Sequence, residues 1–216
     1  MITSRQNPLV KRFKSLHRSK ERKRQQMVLL EGTHLVLEAC AAQSPLVAVC
    51  ATPTWQAAHG SLWQRILELS QRAELVADSV MQSMATTVEP DGVVAIASHD
   101  LHSESQDDSL LMGAREETAF LGVAVEELQD PGNLGTIIRT SAAVGANRLW
   151  VSQNSVDPTH PKVLRASAGQ WFRLPMTVCS DVGQAIERIQ PSSSDQADSS
   201  QSEPSLQVIA TCPDTE

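Results

Sequence analysis

The sequence predicts an α/β protein of two units, the second carrying a mostly parallel sheet, and three observations predict it. Short apolar runs of strand length alternate with stretches whose apolar residues recur at helical spacing, along most of the 216 residues. A polar, aperiodic stretch at 99–118 divides that alternation in two. The 41% hydrophobic content over this length is enough to fill the core that such layers need. No run approaches the roughly 18 apolar residues of a membrane span, and the N-terminus lacks the apolar region of a secretion signal.

The first unit is expected over residues 1–98. Asn7 followed by Pro8 reads as a helix N-cap and first turn, and Leu9, Val10, Phe13 and Leu16 then share one face, predicting a helix over 7–24. "MVLLEG" (27–32) predicts a short buried strand closed by a glycine turn, and 33–42 an amphipathic helix with Thr33 as a candidate cap. A strand over 46–52, helices over 60–73 and 78–87, and a strand over 92–98 complete the unit. Residues 99–118 read as a linker.

The second unit is expected over 119–216. It predicts a strand at 119–128, a helix at 133–144, a strand at 147–153 after the Gly145 stop, and a helical start at 160–171 with Pro161 in the first turn. An extended segment at 173–179 and a helix at 181–190 come next. The Ser-rich stretch 191–205 reads as a solvated loop, and 206–211 as a further strand.

The formal net charge of −7 conceals an asymmetry. Nine Lys/Arg and one acid lie between Arg5 and Arg24, leaving nine basic and 24 acidic residues for everything else. A basic arm on an acidic body suits a phosphate-backbone partner, although a solvated basic helix without a partner has the same charge. The four cysteines lie far apart with no C-x-x-C pair, which speaks against a zinc site or a disulfide framework and fits a reducing, cytoplasmic setting. No metal is expected.

The stretch "LQDPGNLGTIIRTSAAVG" (128–145) carries the chemistry. A turn at Asp130-Pro131-Gly132-Asn133 falls where ligands collect, at the carboxyl end of a strand. Gly132 and Gly135 would let the backbone approach a ligand, and Asn133 or its neighbour would cap the helix, leaving amides open to an anion. Leu134, Ile137, Ile138, Ser141 and Ala142 mark a packed face. Arg139 stands alone among them, and a long side chain leaning toward the helix N-terminus would reach back to the crevice. A surface clamp to Asp130 or Glu126 is the plainer alternative.

"DPGNLGTIIRTSAAVGA" resembles motif 1 of the SpoU (TrmH-like) RNA ribose methyltransferases of the SPOUT class. The resemblance extends through "SVDPTHPKVLRASAGQWFRLP" (155–175). "SRQNPLVKRFKSL" (4–16), "LLEGTHLVLEA" (29–39) and "VEPDGVVAI" (88–96) are similar to the family's RNA-substrate-binding domain, Asp91 standing where many relatives have Gln. Because the basic arm belongs to that matched domain, the resemblance speaks against an organellar transit peptide.

The resemblance implies a small N-terminal α/β RNA-binding domain followed by a Rossmann-like, normally knotted SPOUT domain. It further implies S-adenosylmethionine-dependent methylation of a ribose 2′-OH in rRNA or tRNA. Asn133 and Arg139 are the implied catalytic residues. Removing a proton from a guanidinium costs roughly 7 kcal/mol at pH 7, so Arg139 is expected to act as a cation that orients the ribose or phosphate rather than as a base. Arg5, Lys11, Arg12, Lys14, Arg18 and Lys20 are expected to hold RNA backbone, and Arg165 to make either an RNA contact or a salt bridge. His160 reads as a helix-start residue. The family's motif 2, a G-N-E-G-like loop, and motif 3, with a Ser-Leu-Asn run, are absent from these 216 residues. The SPOUT domain is therefore expected to be incomplete, without its C-terminal knot, most of its cofactor pocket and the interface of the family's homodimer. Two expectations remain open: a truncated methyltransferase unable to bind cofactor normally, and an inactive RNA-binding remnant.

Overall fold

The computed structural model of the chain describes residues 1–99, 101–103, 120–188 and 207–209. Two four-stranded sheets organise them. The first has the order β1 (Met27–Glu31), β4 (Val93–Ser98), β2 (Leu46–Ala51), β3 (Ala73–Leu75). β4 runs antiparallel to both β1 and β2, while β3 lies parallel to β2. The two faces of this sheet are both buried, which explains strands that read as continuous apolar runs. Leu29, Ala48, Cys50, Val94 and Ile96 face helices α1 (Pro8–Ser15) and α6 (Asp78–Met84) through Val10, Phe13, Met81 and Met84. The alternate residues Val28, Leu30, Val49, Ala51 and Ala95 face α3 (Thr33–Ala41) and α5 (Gly60–Leu69).

The second sheet is parallel throughout, in the order β5 (His102–Ser103), β8 (Met176–Cys179), β7 (Arg148–Ser152), β6 (Gly122–Val125). Helix α7 (Pro131–Ala143) connects β6 to β7, with α8 (Pro161–Ala166) and a 3-10 turn at Gln170–Phe172 before β8. Leu149 and Val151 pack with Leu134, Ile138 and Val163 on one side; Trp150 and Cys179 pack with Val182 and Ala185 of α9 (Val182–Glu187) on the other. The first of those clusters is continuous with the α3/α5 side of the first sheet, so a single buried cluster joins the two sheets.

Several expectations are corrected. The helix foreseen over 7–24 is two helices, α1 and α2 (Ser19–Gln25), broken at Leu16–Arg18. The break frees the carbonyls of Leu16 and His17, which accept hydrogen bonds of 2.9 and 3.0 Å from the Arg22 guanidinium. Asn7 caps α1 as foreseen, its Oδ1 accepting from Leu9 N at 2.9 Å. Thr33 does not cap α3: the capping position is Gly32, at φ +93°, and the Thr33 amide and hydroxyl both donate to the Asp91 carboxylate. A short helix α4 (Pro53–Ala58) and strand β3 were not foreseen, because six and three residues are too few to show a period. The expected linker contributes β5, which pairs alongside β8 at His102↔Thr177. The rest of that linker and the Ser-rich stretch 191–205 lie outside the described residues. Of the strand foreseen at 206–211, the described residues 207–209 pair with no strand, and Val208 and Ile209 are exposed.

Candidate nucleic-acid interface

Pro131 opens α7, and its cap is Asp130, whose Oδ1 accepts from Asn133 N at 2.8 Å. That amide bond, more than the neighbouring Lys162 cation at 3.7 Å, holds the Asp130 carboxyl below the usual carboxylate range. The cap expected at Asn133 or its neighbour is instead Asp130, three residues earlier, and the helix begins at Pro131 rather than at 133. The opening foreseen for an external anion is taken up at this point by the chain's own carboxylate. The two glycines also serve the fold. A Cβ at Gly132 would stand 2.9 Å from Asp130 Oδ1, and one at Gly135 would stand 2.4 Å from Ala166 Cβ and 2.8 Å from Val163 O. Gly135 thus lets α7 lie directly against α8.

Leu134, Ile138 and Ser141 are buried, as the pattern predicts, and the opposite side of α7 is open. Asn133, Thr136 and Arg139 lie on that open side at successive spacings of three, which places them on one oblique ridge of the helix. The Thr136 hydroxyl is anchored to Gly132 O at 2.9 Å. Arg139 is exposed and makes no hydrogen bond or ion pair with any described residue; the clamp to Asp130 or Glu126 is not formed. Its tie to Asn133 is a shared ridge, not a contact.

At the strand ends themselves, polar groups satisfy one another. Ser152 Oγ accepts from Glu127 N at 3.0 Å, Ser155 Oγ accepts from Leu128 N at 3.1 Å, and the Gln129 amide donates to Glu127 O and Asn154 O. These strand-end groups are thus bonded to one another. No cluster of His, Cys, Asp or Glu able to hold a metal ion occurs among the described residues.

The basic arm divides into two kinds of cation. Arg5, Lys11, Lys14, Arg18 and Lys20 are exposed and make no ion pair among the described residues. Arg12 is half-buried, with one nitrogen 3.1 Å from Met27 Sδ, and Arg24 pairs with Glu21 at 2.6 Å. Arg22 is the exception, only 1% exposed. It donates to Thr159 Oγ1 at 3.0 Å and to Asp157 Oδ2 at 2.8 Å, besides the two carbonyls behind it. Ser19 adds a 2.6 Å bond to the same Asp157 oxygen, and Thr159 Oγ1 donates to the other at 2.6 Å. Burial pushes the Asp157 pKa up, but the hydrogen bonds from Ser19 and Thr159 and the Arg22 charge outweigh it and leave it below the usual range.

Arg165 makes the salt bridge rather than standing free: its guanidinium lies 3.1 Å from Glu31 Oε2, a buried carboxylate that also accepts from Thr86 and Thr87. His160 is a helix-start residue, Nδ1 accepting from Lys162 N at 3.1 Å; burial first, then the Arg22 charge, lowers its pKa. Sequence reasoning missed Arg22, Asp157 and Glu31 as a group. The only available signal was Arg22 lying in a helix with no apolar residue to seat it.

Comparison with known proteins completes the picture. Residues 121–208 match the model of the SpoU rRNA Methylase family, and residues 7–95 match that of the MRM3-like substrate binding domain. An uncharacterized tRNA/rRNA methyltransferase of Synechocystis sp. is 41% identical over 212 residues, covering 98% of this chain and 70% of that protein. The 23S rRNA (guanosine(2553)-2′-O)-methyltransferase RlmP of Bacillus subtilis is 27% identical over 175 residues, covering 81% of this chain and 63% of its own length. The crystal structure of the AdoMet-bound rRNA methyltransferase from Sinorhizobium meliloti superposes with a TM-score of 0.71 at 24% identity, over 87% of this chain and 67% of that one. This last likeness shows a shared fold.

Proposed function

The chain belongs to the SpoU family of RNA methyltransferases, and from that premise we propose that its described residues form the RNA-gripping and ribose-facing half of a 2′-O-methyltransferase acting on rRNA or tRNA. The observation that carries this reading is Arg139: an exposed cation on the open ridge of α7 without an ion pair among the described residues, set against six such cations on the arm around α1 and α2, Lys23 included. A cation held free on a helix whose opposite face is buried is available to a phosphate or a developing ribose oxyanion. Lys11, Lys14, Arg18, Lys20 and Arg5 would grip backbone phosphates and so position the RNA without reading its sequence. Asn133, on the same ridge as Arg139, would hydrogen-bond the ribose or its phosphate. As the 2′-OH gives up its proton to water or to a substrate group, Arg139 would steady the oxygen by charge alone.

S-adenosylmethionine is the cofactor of this family and supplies the methyl group when bound. Among the described residues the strand-end amides and hydroxyls that could meet it are bonded to one another. No step is therefore assigned to residues around it. The same observation favours a second reading, an RNA-binding relative that does not transfer methyl groups. Transfer of radioactive methyl from S-adenosylmethionine to a ribosomal RNA fragment separates the two. Incorporation that disappears in Arg139→Ala supports the first. RNA retention without incorporation supports the second. Absence of salt-sensitive RNA retention would refute both.

A further inference from the structure

Three ion pairs cross the seam between the two sheets: Arg22–Asp157 at 2.8 Å, Arg165–Glu31 at 3.1 Å and Arg173–Glu38 at 2.7 Å. The apolar cluster beneath them already supplies cohesion, so charge is not needed merely to hold the halves together. Apolar contact is non-directional, however, and does not select one register of a helix on its neighbour. The first pair differs from the others in its completeness. Four hydrogen bonds engage the Arg22 guanidinium, and both Asp157 oxygens are also bonded, by Ser19 and by Thr159. A planar fork with four of its five N–H groups engaged on different sides is held in one orientation. It sits in the middle of the basic arm, between exposed Lys20 and Lys23, and the segment it grips runs directly into α8. α8 in turn lies against α7 at Gly135, where no side chain intervenes. A rigid path therefore runs from the arm through Arg22, Asp157 and Thr159 to α8, and through Gly135 to the ridge bearing Asn133 and Arg139.

We infer that Arg22, with Asp157, is a positioning residue for the RNA reaction: it fixes the register between the helices that grip RNA backbone and the ridge that meets the ribose. The inference rests on the proposed role of Arg139. It follows that one RNA is held by both surfaces only while the Arg22–Asp157 fork is intact. A buried ion pair whose chief value is register, rather than stability, fits the known energetics of such pairs.

The test is a mutant cycle on residues that share no partner. Affinity for a labelled ribosomal RNA fragment is measured for the full chain, Asp157→Asn, Arg139→Ala and the double variant, with folding checked by circular dichroism. In the native background, Arg139→Ala is expected to weaken binding about tenfold, the loss of a charge-assisted contact. In the Asp157→Asn background it is expected to weaken binding by less than about twofold, because the ridge no longer meets an RNA held by the arm; independent sites would instead show the same loss in both backgrounds to within about twofold. Thr159→Val, which removes the Nε acceptor and keeps the shape, serves in the same cycle if Asp157→Asn does not fold. An equal loss from Arg139→Ala in both backgrounds would overturn the inference while leaving the role of Arg139 standing. If Arg139→Ala is silent in the native background, the role of Arg139 fails and the inference falls with it. Lys14→Ala, measured alongside, reports RNA grip by the arm independently.

Discussion

Replacing Gly135 by alanine tests whether the α7–α8 contact is what sets the ridge in place. The added methyl would meet Ala166 Cβ at 2.4 Å, Val163 O at 2.8 Å and Ala166 C at 3.1 Å. None of these is the far end of a flexible side chain, so α7 or α8 must move. Overpacking of this kind costs about 1–3 kcal/mol, and the rigidity of the atoms met puts Gly135 near the top of that range. Alanine returns up to about 1 kcal/mol through its better helix propensity. The net expectation is a loss of roughly 2 kcal/mol, which for a chain of this size lowers Tm by about 4–8 °C. Gly60, the first residue of α5, is the control: a Cβ there meets nothing within 4 Å, and Gly60→Ala should leave Tm unchanged or raise it. Differential scanning calorimetry on both variants decides. A Gly135→Ala protein melting at or above the parent temperature would refute the close-packing account, and with it the route by which α8 positions Arg139.

Further predictions concern charge and burial. Lys14→Ala should weaken RNA binding across sequences alike and reduce the slope of log affinity against log salt by about one, with no change in Tm; filter binding at several salt concentrations reads both. Asp157, whose pKa is lowered on folding, contributes stability that is complete above its unfolded value of about 3.9 and is lost as pH falls through the folded value. Asp157→Asn should therefore show a shallower acid limb in urea titrations below that pH, whereas a parallel limb would show that the carboxylate is not coupled to folding. Burial pushes the Cys50 thiol up to about 12, so native protein should resist alkylation at pH 8 at this position and lose that resistance in urea, as peptide mass mapping would reveal.

The layered α/β order was legible in the letters because alternating burial leaves a period in them. β4 reads as a nearly continuous apolar run because both its faces are covered. Asn7–Pro8 announced its helix through local chemistry, in which a side-chain oxygen meets an amide two residues on, whereas the same device at Asp130–Pro131 was read as a turn before a helix at 133. The run around Arg139, too, was distinct enough to mark a family, since motif and helix lie in one short segment. Arg22 was not legible in this way. In the linear chain it is one cation among nine between Arg5 and Arg24; in space it alone is buried, because its partners Asp157 and Thr159 stand 135 and 137 residues away. Arg165 and Glu31 likewise meet across 134 residues. Periodicity and capping are short-range and leave a trace in neighbouring residues. Which cation is sealed into a seam and which stays in water depends on how two sheets dock, and that comes into being only when distant surfaces touch.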